Sequence, residues 1–453
     1  MIFGYTLLDP VFVMLGSMGA MYLLLARPNR LMLYLPGALS VYAFVPFVSL
    51  LTLAEIVPML ILLTTMVRGR IDIPRRVRLG FAILVAIFVL ELTFGLGAAS
   101  TDMERTLMRS MQYVGLLMLF LFSLNSCRDE RTYRLLVRGA AIIAAIHAIY
   151  GLYQFIAAPT GLPMRGILRG TEGAQAAMEG IFLRINGFAS EPKRLGYVLA
   201  VGALAFFELA RHSTGTRRTR LRQMGIGVLA ISLLTFSGSY YLALALMGTV
   251  LVVLYPRFLK SVAALSLLGA MTIPIFPEPA EKLWVAISSG YERRAEEVDV
   301  GLDGQIVYRQ EFYAEEYLSR NIGVALTGVG IGRANTVLHN EFGDGAGYNG
   351  DAPLPLNSAV LQILFDLGGP AILIIYGTLL ALIWRAWRRR EIFLMLVLVL
   401  LGMQSLSIQV LQFMAIFMGA ALARMPSRQP KLSVFPRPPL QTETHEARYP
   451  PYR

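Results

Sequence analysis

Residues 68–98 read RGRIDIPRRVRLGFAILVAIFVLELTFGLGA, five arginines within eleven residues and then twenty residues whose only charge is Glu91. A helix crosses the hydrocarbon layer of a bilayer with about 20 mostly apolar residues, and cytoplasmic flanks collect Lys and Arg. The stretch therefore predicts a membrane span that leaves a basic cytoplasmic loop.

Working outward, apolar runs of the same kind fall near 8–26, 31–49, 51–67, 107–124, 135–158, 194–210, 224–238, 240–255, 258–276, 358–383, 391–406 and 409–423. With 79–98 they make thirteen candidate spans, or twelve to fourteen, because 224–255 and 391–423 are closely spaced pairs. Composition agrees: 56% of the 453 residues are hydrophobic and 15% charged, and the mean hydropathy is +0.58. Those values exclude soluble domains built around aqueous cores. The expected fold is all-α, a polytopic integral membrane protein. Its first apolar run lacks a basic n-region and a small-residue cleavage site, so it reads as an uncleaved helix.

Seven segments hold 28 of the 41 Lys and Arg residues: RPNR, RGRIDIPRRVR, RDERTYRLLVR, RHSTGTRRTRLR, PRFLK, WRAWRRRE and the tail from Arg424. Placing all seven in the cytoplasm alternates correctly with thirteen spans and puts the C-terminus inside. The net charge of +12 is thus a topology signal, not a nucleic-acid footprint, because the arginines lie between apolar runs and not in a basic polar domain. A lone Cys127 excludes disulfide scaffolds. Four scattered histidines give no metal-ligand spacing.

The chain then divides into N-terminal spans (1–158), a first long outer loop (159–193), central spans (194–276), a large outer loop (277–357), C-terminal spans (358–425) and a Pro/Arg/Ser-rich cytoplasmic tail (426–453) read as disordered. The large loop carries 13 acidic and 6 basic residues, the opposite bias to the cytoplasmic segments. Within it, Ile306, Arg309, Tyr313, Tyr317 and Arg320 recur at helical spacing, with Gly323 and the following GVGIG run as the stop. No internal repeat is present, which disfavours a transporter or flippase built from paired halves.

Polar side chains inside a bilayer are costly, so their depth is informative. With this orientation Glu55, Glu91, Gln112, Gln154, Ser239, Gln362, Asp366, Gln404, Gln409 and Gln412 fall in the outer halves of their spans, which predicts a hydrophilic cavity open to the outside. His147, near mid-membrane, reads better as a packed, hydrogen-bonded residue. Each glutamine has an equal alternative in bonding between helices.

Candidate chemistry gathers at the outer mouth. RINGFASEPKRLGY (184–197) brings Arg184, Glu191, Lys193 and Arg194 together just before a helix. Arginine offers a planar fork to phosphate oxygens, lysine a point charge, and the carboxylate a base or an ion-pair partner. Arg309 and Arg320, eleven residues apart, lie about 20 degrees from a common helical face. That face suits a diphosphate, and a surface helix with Glu–Arg pairs fits it as well. Ser239 and its neighbouring tyrosines occupy a short interfacial turn, SGSYY.

The order R-x-x-G-x-x-x-E-P before a helix, a Ser-Gly-Ser turn, an arginine-bearing outer loop with a GxGxG-like stretch, and then LNSAVLQILFDLGG resembles the O-antigen polymerase/ligase family over roughly residues 180–370. That family includes the Wzy polymerases and WaaL ligases of bacterial surface polysaccharide and lipopolysaccharide assembly. The resemblance implies a GT-C-like membrane glycosyltransferase in the bacterial cytoplasmic (inner) membrane. It would act at the outer face by inverting transfer without metal or cofactor, on a glycan carried by undecaprenyl diphosphate. Carried over, Arg184 and Arg309 hold the diphosphate, Glu191 is the E-P carboxylate and candidate base, and Asn357 opens the helix after the large loop. Lys193, Arg194, Arg320, Ser239 and Tyr313 join them as substrate-binding candidates. Ligases place a histidine directly before that asparagine. Leu356 stands there, which favours a polymerase; His339 lies 18 residues before Asn357. A second glycan-lipid, bilayer lipid and a chain-length-regulating co-polymerase are the implied partners.

Overall fold

The computed structural model describes residues 8–42, 52–68, 72–97, 103–160, 162, 185–235, 237–256, 259, 298–300, 306–308, 310–343, 346–349, 352–353, 356–406 and 411–424. They form a helical bundle. Before the large loop its helices are α1 (Leu8–Ala26), α2 (Pro28–Ser40), α3 (Leu53–Arg68), α4 (Arg75–Gly97), α5 (Met103–Ser126), α6 (Glu130–Thr160), α7 (Pro192–Arg211), α8 (Gly215–Ser232) and α9 (Gly238–Leu254). After the large loop come α13 (Ala359–Arg388), α14 (Ile392–Ser405) and α15 (Gln412–Arg424). Among the described residues, four helices are long and apolar enough to cross a membrane: Val77–Gly97, Met103–Ser126, Glu130–Ala157 and Ala359–Arg388. The expected span at 258–276 lies outside the described residues, as does the tail.

Two observations mark lipid-facing surface. Ile142, Ile146, Ile149 and Ile156 form an exposed stripe at helical spacing along α6, and Leu79, Ile83, Val89, Leu90 and Phe94 are exposed along α4. In water such a surface would be an aggregation site; in a bilayer it is solvated. At the end of α13 the Arg388 guanidinium sits 4.8 Å from the Trp384 ring centroid, the amphipathic pairing favoured at a membrane interface.

At the centre runs α14, buried along nearly its whole length from Phe393 to Leu401. An apolar helix with no polar face has to be surrounded. It packs on α7, α9, α13 and α15, while α7 also crosses α6 and α8, α15 crosses α5, and α2 crosses α6.

The large loop contributes α10 (Gln310–Arg320), α11 (Ile322–Thr327), α12 (Ala334–Phe342) and two small antiparallel hairpins, β1 (Val298–Val300) with β2 (Ile306–Tyr308) and β3 (Tyr348–Asn349) with β4 (Ala352–Pro353). Ile306 thus lies on a strand and not on the expected helical face. Its β-branched neighbour Val307 favours extended backbone, and the helix starts only at Gln310. The helix carrying Tyr313, Tyr317 and Arg320 stops at Arg320, before Gly323, with Asn321 non-helical; Gly323 lies inside the next short helix, which Gly328 of the GVGIG run ends at φ +83°. The loop has its own core of Ala314, Ala334, Leu338, Ala346, Leu356 and Phe365.

That core is tied to the bundle through GVGIG, residues 328–332, whose three glycines all take positive φ, a conformation other residues adopt only at a cost. Val329 N–H donates to Phe365 O at 2.7 Å, a carbonyl made available where Gly368, at φ +75°, interrupts α13 just before Pro370. Ile331 N–H donates to Glu91 O at 3.3 Å, and Thr106 Oγ1 donates to Ile331 O at 2.9 Å. The run is therefore wedged among α4, α5 and α13.

Candidate functional site

Seven helix ends meet around a polar cavity of about 180 Å³. Into it project Ser40 at the end of α2, Thr52 and Glu55 at the start of α3, Arg109, Gln112 and Tyr113 of α5, Ser190 and Arg194 at the start of α7, Gln362 of α13, Gln404 of α14 and Gln412 of α15. Four of these ends, those of α3, α7, α13 and α15, are N-termini, where unpaired backbone N–H groups and the helix dipole favour an anion. Two arginines stand among them.

Local chemistry explains how each arrives. In α3, Thr52 and Glu55 form a capping box: Thr52 N–H donates to Glu55 Oε2 at 3.0 Å, and the Thr52 hydroxyl donates to the same oxygen. Glu55 is thereby committed to its own helix start. The segment before α7 is pinned by Gln154, whose Oε1 accepts from Asn186 N–H at 3.2 Å and Gly187 N–H at 2.8 Å while its Nε2 donates to Asn186 Oδ1 at 2.8 Å. His147 Nδ1 accepts from Phe188 N–H at 3.2 Å, and its Nε2 lies 3.1 Å from Ser40 Oγ. That is the packed histidine expected from the sequence. Tyr150 stacks on Phe188 at 4.2 Å.

The pinned loop then delivers the E-P pair. Pro192 occupies the first turn of α7, where its missing N–H costs nothing, and Glu191 before it is extended, as residues preceding proline are. Its carboxylate makes no capping bond and lies 3.9 Å from Arg194 Nη2. Arg194 enters the cavity and Glu191 stands at its edge.

Below the cavity, Asp366 is fully buried. Its Oδ2 accepts from Tyr113 OH at 2.7 Å and Gln362 Nε2 at 2.9 Å, and its Oδ1 from Gly332 N–H at 3.0 Å. Glu91 is buried too, beside Gly330. Both intramembrane carboxylates hold the GVGIG run in place and do not line the cavity.

The remaining candidates lie elsewhere. Arg184 and Arg309 are outside the described residues. Lys193 is half-buried in the first turn of α7. Ser239 is buried, its Oγ 3.4 Å from Ser237 Oγ and its carbonyl 3.4 Å from Tyr197 OH. Arg320 pairs with Glu316, lies 3.9 Å from Glu341 and covers the Phe342 ring. Tyr313 packs against Phe342 at 5.2 Å in the loop core. Burial raises the pKa of the Tyr317 phenol above its ordinary value, with Glu341 adding to the effect. Asn357, exposed, donates its N–H to Glu311 Oε1 at 2.7 Å and so ties the start of α13 to α10. Leu356 is buried in the loop core.

No family model matches the sequence, and no curated protein does.

Arg109 is the residue sequence reasoning passed over. It donates to Gln112 Oε1 at 3.0 Å within α5 and faces the cavity. An arginine inside an apolar run was the available signal. Three cavity-lining atoms, Ser190 Oγ, Arg194 Nε and Gln412 Oε1, are buried and have no hydrogen-bond partner among the described residues. Buried polar groups are rarely left so. Beside the cavity, an apolar slot of about 240 Å³ runs between α4, α5, α13 and α15, and the two share Tyr113, Leu116 and Leu411.

Proposed function

We propose that the protein is a membrane glycosyltransferase of the O-antigen polymerase/ligase kind, a polymerase that joins polysaccharide repeat units carried on undecaprenyl diphosphate. The reading takes the chain as twelve to fourteen spans in a bacterial cytoplasmic membrane, with the C-terminus in the cytoplasm and both long loops outside. The observation that carries it is the cavity: two arginines and four helix N-termini around polar atoms that have no partner among the described residues. That chemistry suits an anion such as a diphosphate. The adjoining slot, which shares Tyr113, Leu116 and Leu411 with it as wall, suits the apolar chain of the same ligand.

In the proposed reaction a hydroxyl oxygen of the acceptor repeat unit attacks the anomeric carbon of the growing glycan from the face opposite the diphosphate. The bond from that carbon to the diphosphate oxygen breaks, the configuration inverts, and the lipid diphosphate leaves with its electron pair. Arg109 and Arg194, joined by Arg184 and Arg309 from the loops, offset the charge that grows on the leaving group. Glu191, at the cavity edge and free of capping, takes the hydroxyl proton. A positioned base contributes about 10² to 10⁴-fold, so Glu191→Gln with unchanged rate and chain length excludes that role.

The test is the glycan profile of a deletion strain, with carrier-linked and surface-linked material separated. Single repeat units on the carrier and loss of the long-chain ladder support a polymerase. Full-length chains stranded on the carrier indicate a ligase instead, and an unchanged linkage pattern with lipid-linked units retained on the cytoplasmic side indicates a flippase.

A further inference from the structure

The opposite end of the bundle carries a second cavity, of about 540 Å³, between α6, α7 and α8. Its charges divide into paired and unpaired sets. Arg134 Nε bonds Glu130 at 2.8 Å, and Arg424 reaches the other oxygen of that carboxylate. Glu208 is taken by Arg211 at 2.9 Å and His212 at 3.1 Å. Arg138 and Arg217 also line the cavity, and among the described residues neither has an ion-pair or hydrogen-bond partner. Nearby, α8 begins GTRRTRLR with no acidic residue in its first turn, so its own N-terminal dipole adds to the positive field.

The walls change character with depth. Ile142 lies four residues beyond Arg138 on α6, about 6 Å deeper along the axis, and Met224 lies seven beyond Arg217 on α8. Both line the cavity and are half-exposed, Ile142 at 53% and Met224 at 48%. Because α6 is one of the helices long and apolar enough to cross a membrane, the cavity passes from a cationic rim at the interface to an apolar side opening in the hydrocarbon layer.

We propose that this cavity binds an anionic phospholipid, its phosphate between Arg138 and Arg217 and an acyl chain along Ile142 and Met224. A free phosphate would gain nothing from the apolar walls. A zwitterionic lipid would bring an ammonium group to a rim whose carboxylates are already paired. Basic pockets between membrane helices take anionic head groups in this way. The proposal depends on the membrane character of α6 and not on the glycosyltransferase reading, so an unaltered glycan profile leaves it standing.

The experiment is native mass spectrometry of the full-length protein in neutral detergent, titrated with dioleoyl phosphatidylglycerol, dioleoyl phosphatidylcholine or inorganic phosphate. Phosphatidylglycerol should be retained in preference to phosphatidylcholine. In the double variant Arg138→Gln/Arg217→Gln its binding should weaken about 30-fold, or about 2 kcal/mol at 1.4 kcal/mol per tenfold. A control, Arg218→Gln/Arg220→Gln, removes the same charge from side chains that do not line the cavity; it lowers the local potential but removes no direct partner, so it should weaken binding clearly less than the double variant. Met224→Glu keeps both arginines and spoils the apolar wall, and should also abolish retention. Equal weakening in the control would mean a diffuse basic surface and overturn the site, as would equal retention of phosphatidylcholine. Competition by inorganic phosphate at equal concentration, or full binding by Met224→Glu, would overturn the lipid assignment.

Discussion

Asp366 offers a quantitative test of how the large loop is fixed to the bundle. Its carboxylate gathers three donors from three places: Tyr113 OH of α5, Gln362 Nε2 of α13 and Gly332 N–H of the loop. Hydrogen bonds within membranes contribute on average about 0.6 kcal/mol and those in proteins generally about 1 kcal/mol. Losing all three in Asp366→Ala should therefore cost about 2–4 kcal/mol, with the cavity adding to it. Tyr113→Phe removes one and should cost about 1 kcal/mol. In Asp366→Asn one oxygen becomes a donor. Keeping the carbonyl toward Tyr113 and Gln362 sets the amide against Gly332 N–H, and flipping it forfeits the other two bonds, so the cost falls between those of Tyr113→Phe and Asp366→Ala.

The assay is thermal unfolding in detergent, followed by the fluorescence of the three tryptophans. For chains of 150–250 residues 1 kcal/mol shifts Tm by about 2–4 °C, and by less in longer ones. Asp366→Ala should thus lower Tm by several degrees and Tyr113→Phe by one or two. The decisive measurement is the double variant, because once Asp366 is gone Tyr113 OH has no acceptor left to lose. Tyr113→Phe/Asp366→Ala should melt no lower than Asp366→Ala alone. Fully additive losses, or an unshifted Asp366→Ala, would refute the shared network.

Further outcomes can be checked with the same protein. At Gly202 an added Cβ would stand 1.9 Å from Ala144 Cβ, so Gly202→Ala must push α6 and α7 apart and should cost about 1–3 kcal/mol, read as lower Tm and yield of monodisperse protein. Cys127 is buried, which pushes its thiol up to about 12, so native protein at pH 8 should resist maleimide and denatured protein should react. Because the folded chain keeps a proton that the unfolded chain releases near 9.0, this group's stabilisation is complete below that pH and lost as pH rises toward about 12. Arg109→Gln/Arg194→Gln should abolish polymer with protein level unchanged, measured by glycan gel and immunoblot; an intact ladder would remove both from the site.

The spans were legible because membrane helices announce themselves by length and lack of charge. Residues 79–98 fall almost wholly within α4, and 107–124 and 358–383 within α5 and α13. The clustering of polar residues was legible too: Glu55, Gln112, Gln362, Gln404 and Gln412, expected to share a hydrophilic cavity, line one. Azimuth was not. Lipid-facing and protein-facing positions are equally apolar, so nothing in the sequence separates Gln412, which faces the cavity, from Gln154, which clamps a loop. Glu91 and Asp366 looked like cavity carboxylates because an intramembrane charge needs a partner, and what each of them holds includes loop backbone, at Gly330 and Gly332, that no periodicity reveals. Arg109 was hidden by the assignment of its helix start near 107, when α5 begins at Met103 and carries Arg109 well into the helix.

The two ends of the bundle also explain each other. A helix that brings its N-terminus to the polar cavity must present its C-terminus at the basic end, where Arg211 closes α7, Arg385 and Arg388 close α13, and Arg424 closes α15. Cations there complement the negative ends of the dipoles, while at the other ends Glu55 caps α3 and Ser358 caps α13, and the start of α7, which has no side-chain cap, is left to a ligand. The arginines that close these helices and the N-termini gathered at the cavity are thus two consequences of one arrangement. Arg109 and Arg194 stand apart from it. Arg194 lies in the first turn of α7, where a cation opposes the dipole, and Arg109 lies deeper in α5; Glu55 and Glu191 beside Arg194 balance part of that charge, and an anionic ligand would balance the rest. An anionic ligand in that cavity should accordingly raise Tm in the parent protein and fail to do so in Arg109→Gln/Arg194→Gln, whereas equal stabilisation of both would place the anion elsewhere.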